Sequence, residues 1–565
     1  MNTKYIKPDF YLKGGTYNYT TKQYELNGVA VDMVKEGYAS YANTNDASTN
    51  FGWRPSEIGY TTEGIDAGSS KYVLYYELSL NYAREFGLHG LTALALFSRQ
   101  TSETGRDWPK KREDWVGRVT YDYNKKYFAE ANFAYNGSEA FGPGYKFDFF
   151  PSIAVGWNIA NEEFFKESVP FMEVLKVKYS NGLVGDDNVG VSGWPYLTIW
   201  GTGSPLSADA GKGFGVTPIT SYTKYKEGTP GNPELRWEKA NKQNLGTEFS
   251  LFKGLVSGSV DLFKEHRYDM LVAANQRTVP MIFGQTPPAA NIGEVQSKGM
   301  EIEASVSKSY RNGFNFKVGG SWTYARNTII NKEDAELKPF YQKAAGYPIG
   351  QNRLTIETGL MTSWDDVYNG VIGQGSNVNR LPGDFVFMDY NANGKIDPDD
   401  AAPYGYPVYP FSTYTANLSV GYKGWSLDAL FYGTHNVTRE VGFGRFLFNG
   451  AGIAQLYLDA TATPEFGNVN PTFPQLNFAR GSGIGTFDTY DGALLRLKSL
   501  QISYTLPKRW VKKIGCSDIR LYANGNNLFV WTDMPADGEG ANRGDDNGRN
   551  YPLKRTATIG TSINF

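Results

Sequence analysis

From Thr413 to Tyr422 the chain alternates strictly. Tyr414, Ala416, Leu418, Val420 and Tyr422 take one set of positions, and Thr413, Thr415, Asn417, Ser419 and Gly421 take the other. A period of two is the signature of a half-buried strand. Lys423-Gly424 follows, and the alternation resumes with Trp425, Leu427, Ala429 and Phe431 against Ser426 and Asp428. Two such runs joined by a Lys-Gly dipeptide predict a hairpin with a two-residue turn. The pattern recurs around Phe252–Gly254, around Asn124–Lys126, around "GLHG", and in "MEIEASVSKSYRNGFNFKVGGSWTY" and "LQISYTL". About 16 strands are expected after residue 70 on this reading, and the segment before it is expected to add one or two.

Between the hairpins lie irregular segments rich in Gly, Pro, Asn and Asp, roughly residues 184–235, 361–412, 436–492 and 532–555. Compact soluble domains rarely hold several structureless loops longer than about 15 residues. A membrane barrel has this asymmetry by construction, with short turns on one side and long loops on the other. Alternation within one strand does not separate a sandwich, whose apolar face is core, from a barrel, whose apolar face meets lipid. Three broader features favour the barrel. Aromatic residues sit near strand ends (Trp115, Tyr123, Tyr127, Tyr135, Tyr422, Trp425 and Trp531), where interfacial girdles require them. The strands reach the length that a tilted spanning strand needs. The last residue, Phe565, shares a face with Ala557, Ile559, Thr561 and Ile563, an ending that looks like the signal read by the bacterial barrel-insertion machinery.

Composition narrows the class further. The chain has 565 residues, of which 15% are aromatic and 64 are glycine, well above the usual glycine share of about 7%. These biases run the whole length without a linker, so the expectation is one large all-β architecture, residues 1–565. Net charge is −2 and no Lys/Arg cluster stands out, which gives nucleic acid no support. A single cysteine, Cys516, excludes an internal disulfide framework and a thiolate zinc cage. His89, His266 and His435 read as ordinary strand or surface residues. No apolar run approaches the ~18 residues of a membrane helix, and the first residues carry no secretory leader. The expectation is that the chain is cytosolic or that its N-terminal part lies elsewhere. No Ser/His/Asp, Cys/His or paired-carboxylate constellation stands out, so an enzyme is not expected.

One stretch carries candidate chemistry of its own, "DYNANGKIDPDD". Against the calcium-loop template Asp389 stands at position 1, Asn391 at 3, Asn393 at 5, Gly394 at the turn, Lys395 (through its carbonyl) at 7, Asp397 at 9 and Asp400 at 12. Alternate oxygens let ligands converge on one cation from a coiled loop, and Ile396 would anchor it. The expected ion is Ca²⁺, in a structural role. Asp400 is shorter than the usual bidentate Glu, and no helices flank the loop. The other reading is a turn held by side-chain to backbone hydrogen bonds. The aromatics Trp194, Tyr196, Trp200, Tyr222 and Tyr225 fall in one long loop. They read as loop packing or as a stacking surface for ligand; no substrate-binding residue is assigned.

Several blocks resemble the barrel half of SusC/RagA-like TonB-dependent outer-membrane transporters. They are "WVGRVTYDYNKKYFAEANFAYNGSEAF", "FFPSIAVGWNIANEEFF", "GNPELRWEKANKQNLGTEFSLFKGLVSGSVDLFKEHRYDML", "NIGEVQSKGMEIEASVS", "PGDFVFMDYNANGKIDPDD", "LLRLKSLQISYTLPKRWVKKIGCSDIRLYANGNNLFVW" and the terminal "YPLKRTATIGTSINF". Their order and spacing match from about residue 70 onward. The resemblance implies the later strands of a barrel of about 22. It also implies a SusD-like surface lipoprotein over the external mouth, TonB–ExbB–ExbD on the periplasmic side, outer-membrane lipid around the wall, and import of oligosaccharides or peptides. Members of the family begin with a signal peptide, an extension domain and a plug. None is visible here, so the resemblance implies a C-terminal portion or one chain of a split transporter. A passive porin and a secreted β-sandwich binding module remain as alternatives.

Overall fold

The computed structural model describes residues 71–104, 108–190, 194–203, 224–370, 380, 382–440, 485–486, 489–534 and 553–565, together with short strands between residues 3 and 61. The chain packs as two compact units, residues 1–76 with 99–112, and residues 77–98 with 113–565. In the first, Thr3–Leu12 pairs antiparallel with Phe51–Thr61, from Thr3 opposite Thr61 to Leu12 opposite Phe51. A small meander there joins Thr16–Asn18, Gln23–Leu26 and Val29–Ala30. These strands pair among themselves.

Among the described residues the main sheet has fifteen strands, against the roughly 16 expected, and they lie side by side in chain order. They are β1 (Lys71–Phe86), β2 (His89–Thr104), β3 (Lys110–Tyr123), β4 (Tyr127–Ser138), β5 (Phe147–Asn158), β6 (Met172–Asp186), β7 (Glu238–Leu251) and β8 (Val256–Val272). The rest are β9 (Ala290–Ser309), β10 (Phe314–Asn331), β11 (Ser412–Tyr422), β12 (Trp425–His435), β13 (Leu494–Thr505), β14 (Asp518–Thr532) and β15 (Thr556–Asn564). The edge strands of this sheet are β1 and β15. An up-and-down meander is what short turns between consecutive antiparallel strands must give.

Turn chemistry fixes where strands reverse. Lys423 and Gly424 both take positive φ, 47° and 90°, the mirror-image turn whose twist matches the flanking strands. A Cβ on Gly424 would lie 2.7 Å from the Thr505 carbonyl oxygen, so only glycine fits. Asn124 and Lys125 (φ 47° and 52°) turn β3 into β4, and Phe252 and Lys253 (φ 55° and 59°) turn β7 into β8. On the opposite side the connections are long. The segment between β10 and β11 spans residues 332–411, starting well before the expected residue 361. Residues 332–360 add no strand to the main sheet; their short strands Arg353–Leu354 and Glu357–Leu360 pair within the loop with Ala402–Pro403 and Phe385–Phe387.

The sheet has two chemically distinct faces, separated by a one-residue step. Ala129, Val155, Tyr179, Leu245, Leu262 and Met300 stand opposite one another across β4 to β9. Val155, Tyr179, Leu245 and Leu262 in this row are exposed. One residue along, Phe128, Gly156, Lys178, Gly246, Asp261 and Glu301 form the next row on the other face. A sandwich would cover the apolar face, because leaving it in water forfeits about 25 cal/mol per Å². Here the apolar face is bare, as a lipid-facing wall requires. The buried apolar clusters lie at the long-loop end instead. Phe141, Phe150, Leu235 and Trp237 form one, and Leu494 with Met534 another. Trp237 sits 5.5 Å from Phe141 and 5.4 Å from Phe150 between ring centres, and its indole N–H donates to the Lys146 carbonyl at 3.0 Å.

Aromatic residues ring the short-turn end. Tyr127 stacks with Trp157 at 6.4 Å, Phe171 with Phe252 at 5.3 Å, and Trp425 meets Tyr504 at 4.7 Å. Tyr422 and Trp425 are both exposed beside the Lys423-Gly424 turn. The expected girdle residues Trp115, Tyr123, Tyr127, Tyr135 and Trp531 are exposed as well.

Candidate functional site

Three sets of polar residues are organised well enough to do chemistry. Two lie in the long connection between β10 and β11, and one lies on the polar face of the sheet.

The acidic loop is closed by its own side chains. Asp389 accepts from the amides of Asn393 (3.1 Å) and Gly394 (2.7 Å). Asn391 Oδ1 accepts from Asn393 N at 2.9 Å, and Asn393 Oδ1 from Lys395 N at 2.8 Å. Asn393 Nδ2 donates to Asp397 Oδ2 at 3.2 Å, and Asp397 Oδ1 accepts from Asp399 N at 2.9 Å. Ala392 and Gly394 take positive φ, 56° and 83°, which lets the chain coil this tightly. Ile396 is buried and Asp400 is fully buried. Both Asp400 oxygens are engaged: Oδ1 by the amides of Tyr390 (2.8 Å) and Asn391 (3.3 Å), Oδ2 by Asp397 N (2.8 Å). The loop is tied outward by Tyr341, whose hydroxyl donates to Asp399 O at 2.8 Å and whose ring lies 4.7 Å from Tyr390.

The six residues predicted as ligands therefore lie in one small loop, but with distinct roles. Asp400 clamps three amides. Among the described residues no three His, Cys, Asp or Glu side chains converge as a metal cluster would. Both oxygens of Asp389 and of Asp397 likewise accept hydrogen bonds within the loop, so a cation here would share the carboxylates of Asp389 and Asp397, the amide oxygens of Asn391 and Asn393 and the Lys395 carbonyl with those donors, a hard-oxygen set that suits Ca²⁺.

Beside this loop, Glu357–Leu360 pairs with Phe385–Phe387, and helix α1 (Trp364–Asn369) follows. Ser363 and Asp366 form a reciprocal capping box at its start. Asp366 also accepts from Thr362 N at 2.7 Å and Thr362 Oγ1 at 2.8 Å, and these bonds hold its carboxyl below the usual range. A cavity of about 470 Å³ opens here, lined by Thr362, Asp365, Asn369, Arg380 and Phe387 among others. The Arg380 guanidinium sits over the Phe387 ring at 5.6 Å, and burial alone pushes its pKa down. Among the described residues no carboxylate pairs with it. On the neighbouring face of α1, exposed Trp364 and Tyr368 stack at 6.0 Å.

The polar face of the sheet supplies the third set. Lys178 Nζ lies 2.9 Å from Glu248 and 3.6 Å from Asp261, and Asn244 Nδ2 donates to Asp261 at 2.9 Å. Arg118 pairs with Glu130 at 3.0 Å. A depression of about 440 Å³ is lined by Ser180, Lys242, Asn244, Asp261, Phe263 and Glu301.

Trp200 and Tyr225 are exposed on a small pair of strands, with Trp200 opposite Glu227 and Tyr225 opposite Thr202. Tyr222 lies outside the described residues. Cys516 is buried and is in no disulfide. His89 Nδ1 lies 2.8 Å from the Tyr121 hydroxyl and His266 Nε2 lies 2.6 Å from Glu294, so both are satisfied strand residues. Arg380 and the Trp364–Tyr368 pair were not singled out from sequence. The only sequence signal for the pair was the i, i+4 spacing of two aromatics after a capping serine.

A meander of long strands with a bare apolar face, an aromatic girdle and one-sided loops defines an outer-membrane β-barrel wall. The family model described as "TonB dependent receptor-like, beta-barrel" matches residues 2–528, and the chain belongs to that family and to the outer membrane. Among curated relatives, the TonB-dependent receptor P3 of Formosa agariphila is 28% identical over 80% of this chain and 45% of its own length. The TonB-dependent receptor SusC of Bacteroides thetaiotaomicron is 23% identical over 88% of this chain and 51% of its own length. The chain thus spans about half the length of the curated relatives it matches. Among solved structures, the RagAB peptide transporter superposes with a TM-score of 0.66 at 18% identity, over 88% of this chain and 56% of that one, which is a likeness of fold.

Proposed function

We propose that this chain forms wall and outer loops of an energy-coupled importer of oligomeric nutrients, oligosaccharides or peptides, with a SusD-like lipoprotein as lid and TonB supplying the energy. The reading has no catalytic step. One observation carries it: a sheet with one bare apolar face and one charged face, whose long connections all lie at one end. The curated relatives are named TonB-dependent receptors, SusC among them, which supports TonB as the energy source. The transporter in the RagAB structures is described as a peptide importer, which keeps peptides beside sugars as cargo. Nutrient contact falls at the cavity lined by Arg380 and Phe387, with the stacked Trp364–Tyr368 pair on the neighbouring face of α1. The acidic loop 389–400 takes one Ca²⁺ in a structural role beside it.

The test is affinity purification of the tagged protein from outer membranes of its host, followed by uptake of labelled oligosaccharides and peptides. Co-purification of a surface lipoprotein, with uptake abolished by collapsing the proton-motive force, supports the reading. Uptake that ignores the proton-motive force would be the behaviour of a passive porin. Recovery of folded protein without detergent would leave a secreted sandwich.

A further inference from the structure

The connection between β13 and β14, Leu506 to Ser517, is unlike the other turns at the short-turn end. It reads LPKRWVKKIGCS, with four cations and no acid. It folds as helix α2 (Lys508–Val511) and a following 3₁₀ turn, Lys512–Ile514, that ends at left-handed Gly515. Its underside is fixed. Val511 and Cys516 are buried, and the Cys516 amide donates to the Val511 carbonyl at 3.3 Å. Leu506 N bonds to Ile519 O at 2.9 Å and Ser517 N to Asn564 O at 2.6 Å, which seats the turn on the ends of β14 and β15. With Val511 turned inward, Trp510 points away and is 51% exposed. Lys508, Arg509, Lys512 and Lys513 are exposed around it. Arg509 lies over the Trp510 ring at 5.8 Å, and none of the four forms an ion pair among the described residues.

The neighbourhood gives this surface a direction. Tyr504, just before the turn, meets Trp425 at 4.7 Å, and Lys423 lies over Tyr422 at 5.0 Å. These belong to the aromatic ring at the short-turn end, where side chains with an apolar body and a wet tip settle at a membrane interface. A tryptophan held outward at that level, fenced by four exposed cations, is complementary to a negatively charged headgroup layer. Short turns of an outer-membrane barrel face the periplasm, so the layer within reach is the inner, phospholipid leaflet.

We propose that the turn Leu506–Ser517 is a lipid-binding anchor that takes the phosphate of an anionic phospholipid on Lys508, Arg509, Lys512 and Lys513, with Trp510 inserted among the headgroups. The seated underside holds the cations in place before the lipid arrives. The anchor pins the periplasmic rim of the sheet at β13, β14 and β15. It rests on the membrane-wall reading and fails separately from it, because the wall requires lipid of any charge.

The experiment uses the full chain purified in detergent and incubated with phosphatidylglycerol or phosphatidylcholine, with retained lipid counted by native mass spectrometry. The variants are a quadruple Lys508→Gln, Arg509→Gln, Lys512→Gln, Lys513→Gln chain, a Trp510→Ala chain, and a control with Lys226→Gln and Lys338→Gln in the outer loops. Each cation near an anionic surface contributes about fivefold. The quadruple variant is therefore expected to retain at least about tenfold less phosphatidylglycerol, and the control to match the parent. Parent binding is expected to fall with added salt, and phosphatidylcholine to bind all chains alike. Gel mobility without heating establishes that each variant is folded; if the quadruple variant is not, the salt dependence and lipid preference of the parent decide. Equal retention of the two lipids by the parent, salt-independent binding, or an unchanged folded quadruple variant would overturn the proposal. So would binding of peptidoglycan fragments in place of phospholipid.

Discussion

Arg277 holds the Glu333 carboxylate with two hydrogen bonds, Nη2 to Oε1 at 2.6 Å and Nε to Oε2 at 3.0 Å. The pair joins the connection after β8 to the start of the connection after β10. It is reinforced by Thr278 N on Glu333 Oε2 at 3.2 Å and by Arg277 Nη1 on the Pro288 carbonyl at 2.9 Å. A two-pronged guanidinium–carboxylate pair fixes orientation as well as distance. Water reaches these loops, so Glu333→Gln is expected to cost only about 1 kcal/mol after screening. The cost is local. Limited proteolysis of residues 273–289 is expected to speed up while strand protection by hydrogen exchange stays unchanged. Unchanged cleavage would show that the pair does not hold the two loops together. Arg277 holds Glu333 below its usual 4.5, so this tie is complete above about 4.5 and fades as pH falls through the lowered value.

A second tie lies at the short-turn end. Glu162 accepts from Lys126 Nζ at 2.9 Å and from the Trp157 indole at 3.2 Å. Lys126 and the Tyr127 hydroxyl hold its pKa down from 4.5 to about 2. A lowered carboxylate stabilises above its unfolded pKa and loses that contribution as pH falls towards its folded pKa. The link is expected to be intact at neutral pH and to weaken between about 4.5 and about 2. Near-ultraviolet circular dichroism from Trp157 follows it. The Glu162→Gln chain is expected to lack this acid transition, and an identical transition in that chain would assign it to another group.

Asp400 is buried with three amide donors on its two oxygens. Removing the carboxylate strands three N–H groups, at about 1–3 kcal/mol for each that finds no water. Asp400→Ala is expected to unfold the loop 389–400 locally and expose Ile396, with the sheet intact. Asp400→Asn is expected to recover part of the loss, since one carbonyl oxygen remains. Hydrogen exchange at Tyr390, Asn391 and Asp397 reads this out directly.

Calcium at the same loop is tested by terbium luminescence, since Tyr390 and Tyr341 lie close enough to sensitise it. Terbium emission displaced by calcium at about 10⁻⁴–10⁻³ M, the range of extracellular modules, is the expected result. Asp389→Ala is expected to abolish it. Emission that survives this substitution would move the ion elsewhere, and no emission in the parent chain would leave the loop held by its amides alone.

Ile153 stands mid-strand on the bare face, opposite Ala131 and Asn181. If that face meets hydrocarbon, Ile153→Lys is expected to destabilise the protein refolded into vesicles by about 2–4 kcal/mol near the midplane. A lysine at an exposed position in water would be nearly silent, so urea titrations giving equal midpoints for the two chains would contradict the lipid-facing assignment.

What the sequence determined by itself is everything written in local spacing. Alternation across Thr413–Phe431 set which side chains share a face, because successive strand residues point opposite ways. Lys423-Gly424 and Asn124-Lys125 placed the reversals, because few residues accept positive φ. The same period put Ala557, Ile559, Thr561, Ile563 and Phe565 on one side of the last strand. Spacing also found the oxygens of the acidic loop, but it records which residues carry oxygen and not where the oxygen points. Only the fold showed that Asp400 turns inward to three amides. Partnerships across long separations were likewise decided by tertiary structure: Arg277 with Glu333, Trp237 with the Lys146 carbonyl, Lys126 with Glu162, and Arg380 over Phe387. Each depends on which distant segments the meander and its loops bring together, and that juxtaposition has no period along the chain.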